Sequence, residues 1–191
     1  MKKLVALSMM FLLALAAFGC GKKEDEVKDE GPSVQEEIVK MINDDLPSIS
    51  TERDDAVSIY NEFFKEGADI DSETWKDQLK NNALVSYDAY LDKLNALNYE
   101  NPEVQNLKDL FVKSSNSQRQ AIQCVVDAIE GFDSGKLSEA QQAISDSKTY
   151  MSMYEDELKR LCASYNINVS GEYTSDSFGD TSSNASSTDA E

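Results

Sequence analysis

The sequence predicts an all-α fold, an antiparallel bundle of about five helices, two short and three long, followed by a disordered acidic tail. Three observations carry this. Apolar residues recur at alternating spacings of three and four over three long segments, the pattern of left-handed bundle packing. No comparable run alternates at period two, so a sheet has little support. Gly and Pro fall mostly at segment ends, where they stop or start helices rather than interrupt them.

The first helix opens at Pro32 and Ser33, with Glu36 at capping-box spacing from Ser33. Val34, Ile38, Met41, Ile42 and Leu46 form its apolar stripe, and Pro47 is expected to close it. Thr51 is the expected cap of the second helix, with Asp54 three residues on. Val57, Ile59, Tyr60, Phe63 and Phe64 build a broad face there, and Gly67 ends it by permitting positive φ. These two short helices are expected to pack together across the end of the bundle.

The third helix carries Trp75, Leu79, Ala83, Tyr87, Tyr90, Leu91, Leu94 and Leu97 on one stripe. Asn101-Pro102-Glu103 restarts the chain, because Asn caps and Pro is tolerated at the first helical position. Val104, Leu107, Phe111, Gln118, Ile122, Val125 and Ile129 then lead to Gly131, with a polar middle from Ser114 to Gln120. The last helix starts around Ser134 to Ser138 and displays Leu137, Ala140, Ile144, Met151, Tyr154, Leu158, Leu161 and Tyr165. Gly135-Lys136-Leu137-Ser138-Glu139-Ala140 does not recur in full, so a repeat array lacks its main signature.

The ends differ in kind. Lys2 and Lys3 precede an apolar stretch from Leu4 to Phe18, broken only by Ser8 and closed by Gly19-Cys20. Such a stretch is shorter than the ~20 apolar residues that span a bilayer. A charged start, a short apolar core and a small-residue exit make an export signal. With Cys20 at the first mature position, residues 1–19 resemble the signal peptide of a bacterial lipoprotein precursor. The resemblance implies cleavage after Gly19, a diacylglyceryl thioether on Cys20, and a protein held by lipid on the extracytoplasmic face of the cell membrane. Residues 20–32 read as a flexible tether, 33–169 as the helical domain, and 170–191 as a Ser- and Asp-rich tail unable to offset its ordering entropy by burial. Tyr173 and Phe178 are scattered aromatics within that tail.

Charge narrows the partners. The chain carries a formal net charge of −18, and loss of Lys2 and Lys3 with the leader makes it more negative still. Nucleic acid, bound by Lys and Arg neutralising phosphate, is therefore not an expected partner. Anionic headgroups would repel the domain as well, so contact with the membrane falls to the lipid.

The sequence contains no histidine, which removes the commonest general base and the commonest transition-metal ligand. No phosphate-cradling glycine loop or paired Cys-x-x-Cys is present. Asp69, Asp71 and Glu73 read as helix-start charges, since they lack the length and terminal bidentate Glu of a calcium loop. No cofactor, metal or catalytic set is expected. Cys124 and Cys162 read as buried apolar residues. In a hairpin turning near Asp133 they would stand about 28 Å apart at ~1.5 Å per residue, unless the last helix folds back near Ser145 to Lys148.

Two functions lead, ahead of a histidine-free hydrolase that would need two facing carboxylates in a cleft. The first is a noncatalytic module that engages an envelope or surface protein. The second is a sugar, peptide or small-molecule binder using an aromatic-lined groove between helices, with Tyr87 and Tyr90 facing Tyr150 and Tyr154 and with Gln118 and Gln123 lining it.

Overall fold

A computed structural model describes residues 31–67 and 71–168. The leader, Cys20, most of the tether, Asp69 and the acidic tail lie outside the described residues. Among the described residues the fold is all-α, with two shorter and three longer helices. Helix α1 covers 34–48, α2 Ser50–Glu66, α3 73–96, α4 Pro102–Gly131 and α5 Gly135–Ser164. Among the described residues, no helix is long and apolar enough to cross a membrane.

Cross-helix contacts give the directions. Glu103 meets Arg160 and Ser114 meets Ser147, so α4 and α5 form an antiparallel hairpin. Lys80 meets Glu130 and Tyr90 meets Ser115, placing α3 antiparallel to α4. Glu37 lies at Asn101 and Arg53 at Gln118, so α1 and α2 follow one another along α4 in its own direction. Five helices thus fill four positions of an up-down-up-down bundle, the first position being split between α1 and α2.

The expectation that the two short helices pack together across the bundle end is overturned. They belong to different halves of the core. Val57, Tyr60 and Phe63 of α2 join α3, the C-terminal half of α4 and the N-terminal half of α5. Ile38, Met41 and Ile42 of α1 join Tyr99, the start of α4 and the end of α5. Only one residue, Ile49, separates the two helices, which is too little chain to fold one back on the other.

Several helix ends follow the sequence. Ser33 and Glu36 form a reciprocal capping box, and Gly67 ends α2 at φ 108°. Pro102 opens α4, where its missing amide donor costs no helical bond. Other ends do not follow it. Pro47 does not close α1; a π turn over Met41–Asp45 precedes it and the helix runs on to Ser48. Thr51 is no cap, because α2 already begins at Ser50 and Ile49 holds the cap position without a side-chain bond. A second π segment, Gln78–Ala83, lies inside α3 and adds residues to the turn, so that Leu79, Ala83 and Leu84 all reach the core.

The α4–α5 turn is a Schellman motif, with Asp133 N–H donating to Ala128 O at 3.0 Å and Phe132 N–H to Ile129 O. Its left-handed residue is Phe132, at φ 51°, rather than a glycine, and the ring is 67 % exposed. Little burial offsets the backbone cost. Phe132→Gly is therefore expected to raise stability by about 0.5–1 kcal/mol, measured by urea unfolding. An unchanged or lower midpoint would show that the exposed ring contributes.

Candidate functional site

The α4–α5 hairpin changes character halfway along. Ser114, Ser115, Gln118 and Ser147 sit at the level where the apolar stripe of α4 weakens, and all four are buried. Buried polar groups are tolerable only when hydrogen-bonded, and here they are. Ser114 Oγ lies 3.0 Å from Ser147 O and 2.9 Å from Ser147 Oγ. Tyr90 Oη and Ser115 Oγ are 3.2 Å apart. Tyr87 Oη donates to Gln118 Oε1 at 2.5 Å, and Arg53 Nε donates to the same oxygen at 3.2 Å. The result is a polar belt between two apolar halves, with α2 and α3 contributing from one side.

This belt accounts for two of the four tyrosines assigned to a groove. Tyr87 and Tyr90 are buried, meet edge to face at 5.4 Å, and spend their hydroxyls on α4. Tyr154 is also buried, but in the other core half, where its ring packs on Phe111 at 5.2 Å. Tyr150 is half-buried on α5. The structure therefore brings Tyr87 and Tyr90 together but does not gather all four around one opening. Gln118 belongs to the belt. Gln123 lies nearer the surface, donating to Asp127 and accepting from Arg119.

Neither Cys124 nor Cys162 is in a disulfide, and they occupy different core halves, Cys124 with α2 and α3, Cys162 near the end of α5. Because α5 is continuous, no fold-back brings them together. Burial, aided by Glu139 and Asp127, pushes the Cys124 thiol up, away from the reactive thiolate. Among the described residues, no three His, Cys, Asp or Glu side chains converge as a metal site. The cap of α3 is Ser72, which accepts from Trp75 N–H at 3.3 Å, while Glu73 pairs with Lys76.

A second polar feature lies at the start of α4. Asn101 occupies the cap position, yet its side chain does not cap the helix. Glu37, on α1 and only 5 % exposed, reaches across instead. Its carboxylate accepts from Glu100 N–H at 2.7 Å, Asn101 N–H at 3.0 Å and Asn101 Nδ2 at 2.8 Å. Asn101 Nδ2 also donates to Pro32 O at 2.8 Å. Negative charge is favoured at a helix start, and three donors replace its lost hydration. Nearby, Tyr99 Oη donates to Asp45 at 2.9 Å; burial first, then that carboxylate, holds the phenol well above its ordinary range.

Lys108 is the cationic counterpart, buried and donating to Leu97 O at 3.0 Å beyond the end of α3. Reading the sequence missed both residues, although a signal was present. Glu37 falls three residues after Val34 and four before Met41, and Lys108 four after Val104 and three before Phe111. A charge on an apolar stripe must find a partner inside the fold.

No family model, curated protein or solved structure matches this chain.

Proposed function

We propose that this chain is a lipid-anchored, extracytoplasmic helical module that engages an envelope or surface protein without carrying out chemistry. The observation that carries the reading is the order Lys2-Lys3, Leu4 to Phe18, Gly19-Cys20, followed by charged chain up to Gly31. The described domain begins its first helix only at Val34, which leaves a spacer between the proposed lipid and the bundle. Two acyl chains or more would hold it firmly where one is marginal. The strongly acidic balance leaves little for the polypeptide to contribute to an anionic membrane surface.

The placement of the aromatics favours this reading over the small-molecule one. Tyr87, Tyr90 and Tyr154 are committed to packing and to hydrogen bonds within the bundle, so their ring faces are not presented to a sugar or peptide.

Intact-mass analysis of the mature protein is expected to show Cys20 as the first residue, carrying diacylglycerol. Cys20→Ser is expected to leave the precursor uncleaved and without lipid. An exported product with residue 20 as an ordinary thiol, or lipid that persists in the Ser variant, would refute the anchor. Affinity capture from native envelopes with the lipidated chain then identifies the partner.

A further inference from the structure

We infer that α1 is a releasable strap, docked on the α4–α5 hairpin and able to open as a unit while the rest of the bundle stays folded. Its apolar contribution is local, made mostly to one half of the core. Ile38, Met41 and Ile42 cover the face formed by Val104 and Leu107 of α4 and Leu158 and Leu161 of α5. The upper half of the core contains α2 and α3 and does not need these residues.

Both ends of α1 are built for release. At its C-terminal end, Pro47 supplies no helical amide, the π turn lies just before it, and Ile49 leaves helical geometry at φ −114°, ψ 3°. Ile49 itself is buried in the upper half, so the pivot stays fixed when the segment before it moves. At its N-terminal end, polar bonds add to the packing of Val34 and Ile38. Glu37 grips Glu100 and Asn101, and Pro32 O accepts from Asn101. Farther along, Asp45 accepts from Tyr99.

The docked state also carries an uncompensated group. Asn43 Oδ1, in the π turn, is buried with no hydrogen-bond partner among the described residues. Such an acceptor costs free energy that solvent returns once α1 lifts. The π turn, the one-residue junction at Ile49 and an unsatisfied acceptor together place α1 at the low-stability end of the fold. Opening uncovers the apolar face around Leu107 and Leu158.

Hydrogen exchange of the full chain, read by mass spectrometry across a urea series below the unfolding midpoint, tests this. Amides of 34–48 are expected to exchange at least about tenfold faster than those of Ser50–Glu66, with a shallower urea dependence. Glu37→Gln is expected to raise exchange in 34–48 about tenfold further and leave the core of α2 unchanged. If α1 and α2 share one rate and one urea dependence, or Glu37→Gln accelerates all helices alike, the strap is overturned. The opening does not depend on lipid, so Cys20→Ser is expected to preserve the pattern; failure of the anchor and failure of the strap are thus separate results.

Discussion

Replacing Phe63 with alanine is expected to lower the unfolding free energy by about 3–5 kcal/mol. Phe63 is fully buried on α2 and touches two other aromatic rings edge to face, Phe64 at 4.9 Å and Trp75 at 5.7 Å. Such pairs add to the transfer free energy of the ring, by about 0.5–1.5 kcal/mol each. The site sits between α2 and the start of α3, both held against the hairpin, so the cavity has little freedom to collapse. Urea unfolding should show a lower midpoint with unchanged slope. A loss below about 1 kcal/mol would mean that the upper half does not depend on this cluster.

Leu158→Ala is expected to cost about 2–5 kcal/mol through the lower half. Leu158 is buried on α5 among Tyr154, Leu161 and the residues of α1. Its removal also thins the surface on which α1 docks. Because the polar belt of Ser114, Ser115, Gln118 and Ser147 separates this half from Phe63, the double variant is expected to lose the sum of the two single losses within about 0.5 kcal/mol. A coupling above about 1 kcal/mol would show that the belt transmits strain between the halves.

Particular residues show where sequence reasoning succeeded and where it failed. Ser33 with Glu36, Gly67 and Pro102 were legible because each acts within a few residues of itself: a reciprocal cap, a left-handed stop, a proline-compatible start. Thr51 and Asn101 misled for the same reason. Each has the right chemistry for a local cap, but a one-residue junction pre-empts the first, and the side-chain amide of the second is drawn to Glu37 and Pro32 instead. The tyrosines misled differently. Their spacing put Tyr87 with Tyr90 and Tyr150 with Tyr154 on shared faces. It did not say that α4 would absorb the first pair's hydroxyls or that the last helix would cross a boundary between core halves.

The amino-acid pattern alone determined the helical class and the three long stripes, since periodicity and composition act over one helix or less. Only the tertiary structure decided which stripe meets which. It split the core at Ser114 to Gln118, buried Tyr87 and Tyr90, and turned Glu37 into the grip on α4. An apolar stripe fixes that a face must be covered. What covers it depends on register and direction between segments far apart in the chain, which no local spacing contains.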